Sequence, residues 1–141
     1  VADYIDNLLY YSEKRVRLKA GFFVREPNPS FVLQGKKGSF LKVRGDVQED
    51  ELKLGKKPNL TTWGTEPKDK EGLLHTELNG EIVREKIPTL QGNYYDYFDG
   101  LYHSIVENKP EPVTAQEGTN VMQIIEAAIQ SNTVQKVITI G

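Results

Sequence analysis

The residues Leu73-Leu74-His75-Thr76-Glu77-Leu78-Asn79-Gly80-Glu81-Ile82-Val83-Arg84-Glu85-Lys86-Ile87 decide how the chain is read. Two strand-length runs flank Asn79-Gly80, a pair that tolerates positive φ at both positions, as a type I′ turn requires. An antiparallel hairpin is the expected result. Upstream, Phe31–Gln34 and Ser39–Val43 flank Gly35-Lys36-Lys37-Gly38, which reads as a second hairpin. Earlier still, Val16, Leu18, Ala20, Phe22 and Val24 alternate with Arg15, Arg17 and Lys19, so one face is apolar and the other basic. Tyr4–Tyr11 reads as the strand before it, with Ser12-Glu13 as the turn. Pro27 and Pro29 then stop any ladder, because proline has no N–H to give. A start of Val1-Ala2-Asp3-Tyr4, already strand-like, is expected of a piece cut from a longer protein.

The second half switches period. Tyr94, Tyr97, Phe98, Leu101, Tyr102 and Ile105 follow helical spacing and predict one buried stripe, ended by Asn108-Lys109-Pro110. Thr114 and Glu117 have capping-box spacing ahead of a helix whose buried stripe is Val121, Ile124, Ile125 and Ala128. Asp46 and Glu49 have the same spacing, with Gly55 placed to end a short helix over 47–54. Lys136–Ile140 reads as a closing strand. The fold class expected from this order is α+β: an open, largely antiparallel sheet with helices packed on one face.

Composition removes several functions. The 141 residues carry 18 Lys and Arg against 20 Asp and Glu, a formal charge of -2, which gives no concentrated positive field for nucleic acid. Without cysteine there is no disulfide frame, thiolate nucleophile or Cys-based metal site, in keeping with a reducing, cytoplasmic setting. No apolar run approaches the ~18–20 residues of a membrane span.

The chemistry-bearing motifs are few. None of the 12 glycines forms a G-x-G, so the phosphate-gripping turn of dinucleotide sites is missing, and Gly35 with Gly38 makes no P-loop. Asp99 and His103 stand four apart and read as a surface ion pair on a helix. Asp46, Glu49, Asp50 and Glu51 lack calcium-loop spacing and read as a solvated helix start favoured by the helix dipole. Lys37–Val43 loosely matches an RNA-reading aromatic strand, but its middle glycine is replaced and no second strand motif accompanies it. The rings of Tyr94, Tyr95, Tyr97, Phe98 and Tyr102 belong mostly to the stripe. Tyr94, at the helix start, can offer both an apolar ring and a polar tip.

Taken in order, several segments resemble the C-terminal half of the Gfo/Idh/MocA oxidoreductases, which are NAD(P)-dependent sugar and polyol dehydrogenases and their relatives. They are Gln34–Phe40; Asp46-Val47-Gln48-Glu49 with Leu52, Gly55 and Pro58; Trp63-Gly64; Gly92-Asn93-Tyr94; Gly100-Leu101-Tyr102; Pro112–Ala115; and Val121–Ser131. The resemblance implies that residues 1–141 form a single C-terminal domain, with an upstream Rossmann domain holding NAD or NADP and the catalytic lysine and histidine. Glu85-Lys86-Ile87-Pro88 is not the family's E-K-P motif, and Asp99 with His103 lies on the wrong helix for its Asp-x-x-x-His pair. The fragment is thus expected to hold no catalytic or cofactor-binding residue. Tyr94 takes the place of a substrate-facing tyrosine, with Asn93 beside it and Trp63 as pocket wall or subunit contact. A sheet face with Arg15, Arg17, Lys19 and Phe23 is the implied homo-oligomer surface, and no metal, nucleic acid or membrane is implied. The competing reading is a stand-alone β-sheet protein-interaction module without activity.

Overall fold

The structure is a computed structural model that describes residues 3–59 and 61–141. Its elements run β1 (Tyr4–Tyr10), β2 (Arg15–Gly21), β3 (Phe31–Gln34), β4 (Gly38–Lys42), α1 (Gln48–Lys53), β5 (Gly72–Leu78), β6 (Glu81–Ile87), α2 (Tyr94–Glu107) and α3 (Ala115–Val134), with a 3-10 turn at Lys68–Lys70. They fall into two compact units, Val1–Arg25 with Glu111–Gly141, and Glu26–Pro110.

In the first unit β1 and β2 pair antiparallel from Tyr4↔Gly21 to Tyr10↔Arg15. Asp6 sits opposite Lys19 and takes a bidentate fork from the diagonal Arg17, at 2.7 Å from Nε and 2.6 Å from the terminal nitrogen. The expected alternation reached Val24, but the ladder stops at Gly21 and leaves Phe22 and Phe23 exposed outside it. α3 starts on a complete capping box: Thr114 Oγ1 accepts from Glu117 N at 3.2 Å, and Glu117 accepts from Thr114 N at 2.8 Å. Along α3, Ile124 and Ala128 are half-buried, whereas Val121 and Ile125 are exposed.

The closing strand expected at 136–140 does not form. Gln135 leaves α3 with a left-handed backbone and the Ser131 hydroxyl holds the Lys136 carbonyl at 2.6 Å. The segment then lines an open groove of about 960 Å³ beside β1 and α3, with no ladder bonds of its own. The β-branched run of Val137, Ile138, Thr139 and Ile140 favours an extended chain but does not say that a free edge is within pairing reach.

The second unit is built on a four-stranded antiparallel sheet in the order β3-β4-β5-β6. Asn79 and Gly80 have φ of 53° and 85°, the I′ signature, and Leu78 pairs with Glu81 across them. The other hairpin closes with Gly35 N donating to the Gly38 carbonyl at 2.8 Å. The sheet is open and no closed barrel forms among the described residues, so the fold is α+β.

α1 departs from its expected start. Val47 is the N-cap and provides no side-chain bond, and Asp46 instead accepts from Gln48 N at 3.0 Å, so no Asp46–Glu49 capping box forms. The end is as expected: Gly55, at φ 75°, donates to the Leu52 carbonyl while Lys56 N donates to that of Glu51, a Schellman pairing. α2 starts at Asn93 and ends at left-handed Asn108. The aromatic stripe of α2 was expected to be core; Phe98 is 63% and Ile105 72% exposed. An amphipathic face is buried only by a surface opposite it, and this unit's own residues leave the stripe open. Among the described residues, Trp63, 3% exposed, is the buried large apolar side chain.

Candidate functional site at the start of helix α2

The first turn of a helix leaves backbone N–H groups without partners, and here two side chains from different places supply them. Asn93 Oδ1 accepts from Tyr95 N at 2.9 Å, and its amide reaches the Asn59 carbonyl at 3.4 Å. Gln48, on α1, accepts from Tyr94 N through Oε1 at 2.8 Å. Gln48 is 4% exposed, and its amide nitrogen donates to Asp46 Oδ1 at 3.2 Å. A buried carboxamide therefore uses both ends, and both α1 and α2 depend on it.

Tyr94 is 43% exposed and its hydroxyl donates to Asp46 Oδ2 at 3.3 Å. Partial burial pushes the Asp46 carboxyl up, but bonds from Gln48 N–H, the Gln48 amide and Tyr94, with the charge of Arg44, together hold it below its ordinary value. The same carboxylate, followed by partial burial, raises the Tyr94 phenol above its ordinary value. The pair at neutral pH is accordingly a carboxylate facing a protonated phenol.

The loop carrying Trp63 is brought to this helix start. Gln91 Nε2 donates to the Trp63 carbonyl at 2.8 Å, and Gly64 lies directly against the carbonyl of Gly92. Trp63, Asn93 and Tyr94 thus belong to one neighbourhood within one unit. Trp63 points into the protein and its Nε1 has no hydrogen-bond partner. The two polar ends of Asn93 are engaged with backbone, whereas the Tyr94 ring keeps an open side. Sequence reading did not single out Gln48, and took Asp46 for a solvated helix-start acid. Nothing local marks either, because their partner Tyr94 lies 46 and 48 residues away.

The Asp99–His103 pair is the helix-surface contact expected, at 3.5 Å, and His103 also lies 2.8 Å from Glu107. Lys86 sits on β6 and reaches the Glu71 carbonyl at 3.3 Å. No group of three or more His, Asp or Glu side chains among the described residues is placed to hold a metal ion. No described helix is long and apolar enough to cross a membrane.

Residues 1–140 match the family described as "Oxidoreductase family, C-terminal alpha/beta domain". The chain belongs to the Gfo/Idh/MocA oxidoreductase family. It is 38% identical over 130 residues to scyllo-inositol 2-dehydrogenase (NADP(+)) IolW of Bacillus subtilis, covering 92% of this chain and 36% of that protein. It is 30% identical over 129 residues to uncharacterized oxidoreductase YdgJ of Escherichia coli, covering 92% of this chain and 37% of the other. The solved structure of yvaA from Bacillus subtilis superposes with a TM-score of 0.92 at 36% identity, over 99% of this chain and 41% of that one. The chain therefore spans well under half the length of the relatives it matches. That relationship favours the oxidoreductase reading over a stand-alone interaction module.

The family implies a nicotinamide dinucleotide, and the start of α2 does not fit its phosphates. Anion sites at helix starts need free N–H groups. At α2 the N–H groups of Tyr94 and Tyr95 are taken by Gln48 and Asn93, and at α3 Thr114 N and Glu117 N are taken by the capping box.

Proposed function

We propose that residues 1–141 are one C-terminal domain of an NAD(P)-dependent dehydrogenase acting on a polyol or sugar, and that Tyr94 faces the substrate. The supporting observation is the phenol of Tyr94, half-exposed at the start of α2, in a chain 38% identical to a dehydrogenase of a cyclic polyol. Asn93 sets the helix start on which that phenol stands, and Trp63 lies on the loop tied to Gln91 just ahead of it. The reacting groups and the cofactor site are assigned to an upstream Rossmann domain, so this domain alone is inactive. It works in the cytoplasm. The domain also joins subunits through the face of Arg15, Arg17, Lys19 and Phe23, where a stable interface would bury about 1,600 Å² in total.

The test is made on the full-length enzyme, following NAD⁺ or NADP⁺ reduction with scyllo-inositol and a panel of sugars. Turnover of a polyol or sugar with a KM raised by Tyr94→Phe at unchanged kcat is expected. Loss of one hydrogen bond, about 0.5–1.5 kcal/mol, corresponds to roughly a twofold to tenfold rise. Identical kinetics in the variant would remove Tyr94 from the pocket.

A further inference from the structure

We infer that Asp46 orients the Tyr94 hydroxyl to be a hydrogen-bond acceptor toward the ligand, so that the start of α2 selects neutral hydroxyl donors over carboxylate- or phosphate-bearing compounds. This deepens the placing of Tyr94 at the substrate and rests on it. A phenol has a single proton, and here it is directed at Asp46 Oδ2, 3.3 Å away. What Tyr94 has left for a ligand is a lone pair, which a substrate O–H can meet and a carbonyl or carboxylate oxygen cannot.

Asp46 is itself fixed. Its other oxygen accepts from Gln48 N at 3.0 Å and from the Gln48 amide at 3.2 Å, and Gln48 is locked by burial and by Tyr94 N. The carboxylate is therefore held against the phenol by groups that cannot rotate away. Its charge and that of Glu49 on the first turn of α1, opposed by the single positive charge of Arg44, act on the phenol as a net negative field, which disfavours anionic ligands. The capped N–H groups of α2 offer such ligands no compensation. Asp46 is a positioning residue in this scheme, since it acts through Tyr94.

The experiment uses the full-length enzyme with its nicotinamide cofactor, the cyclic polyol named above as substrate, and glucuronate as an anionic competitor. Asp46→Asn turns an amide toward the phenol and frees its proton to point outward. The expected result is a KM raised about threefold to tenfold with kcat within twofold, and tighter inhibition by glucuronate. The double variant with Tyr94→Phe should match Tyr94→Phe alone, because both act through the same hydroxyl. Asp46→Glu, which keeps the charge, should restore part of the KM. If Tyr94→Phe raises KM but Asp46→Asn does not, or if their effects add, the orientation is wrong while the site stands. If Tyr94→Phe changes nothing, the site itself is wrong and the inference falls with it. Should Asp46→Asn not fold, ¹³C-tyrosine NMR of the wild type decides: no shift of the Tyr94 Cζ signal on adding the polyol overturns the inference.

Discussion

Gly64 lies so close to Gly92 that a Cβ built on it would overlap the Gly92 carbonyl oxygen. Gly64 also has φ 75°, where L side chains are strained, and Gly55 shares that φ with nothing within 4 Å of its own built Cβ. The two glycines therefore separate backbone strain from crowding. Gly55→Ala is expected to cost about 1–2 kcal/mol, the left-handed penalty alone. Gly64→Ala carries that penalty plus displacement of the strand of backbone leading into α2, for a total of roughly 3–5 kcal/mol. Thermal melts of both variants check this, and equal Tm values would show that the Gly92 contact yields freely. Because Gly92 adjoins Asn93, Gly64→Ala should also disturb the start of α2.

Gln48 ties α1 to α2 through the Tyr94 N–H. Gln48→Leu keeps the volume but leaves Tyr94 N unpaired in a buried place, a loss of about 1–3 kcal/mol. Gln48→Glu still accepts from Tyr94 N, yet puts a second carboxyl against Asp46. Like charges raise the introduced carboxyl's pKa, so that variant should be more stable below its pKa than at neutral pH. Hydrogen exchange at the Tyr94 amide reads the first effect, and melts across the acid range read the second. Unchanged exchange in Gln48→Leu would mean that water replaces the lost acceptor.

These two cases show what the sequence could and could not convey. Asn79-Gly80, Thr114 with Glu117 and Gly55 were legible because each device is complete within a few residues. Asp46 with Glu49 carried the same spacing, yet the chain used Asp46 for Gln48, two residues on, and for Tyr94, 48 residues away. The stripe on α2 was legible as a stripe, but spacing says nothing of which surface covers it, and Phe98 and Ile105 stand open. Tyr94 was singled out by resemblance and position together, as a proposal; its hydrogen bond to Asp46 is visible only in three dimensions.

The capping box at α3 gives a cleaner test of local stability. Thr114→Ala removes the acceptor of Glu117 N and the hydroxyl that donates to Glu117 Oε2 at 2.9 Å. A loss of about 1 kcal/mol, within a range of 0.5–2, is expected, and Thr114→Ser should recover most of it. The Glu117 carboxyl lies below its ordinary value chiefly through the Thr114 N–H, then through the hydroxyl. Thr114→Ala should therefore shift its titration upward in NMR, and a static titration would show that the hydroxyl bond is absent in solution.

The pH dependence of the first hairpin follows from Asp6. The Arg17 fork, opposed by partial burial and assisted by the Tyr4 hydroxyl and the charges of Arg17 and Lys19, brings its carboxyl from 3.8 to about 2. A group whose pKa is depressed on folding stabilises above its unfolded value and ceases to do so as pH falls through the folded one. The hairpin should therefore keep the full contribution of the pair above pH 3.8 and lose it between pH 3.8 and about 2. Amide exchange across the Asp6↔Lys19 and Leu8↔Arg17 rungs should accelerate over that interval relative to the acid-catalysed baseline. Asp6→Asn should abolish the step and leave exchange at its low-pH level throughout. A wild-type Asp6 titration centred on the ordinary carboxylate value would show that solvent, not Arg17, is the partner of Asp6.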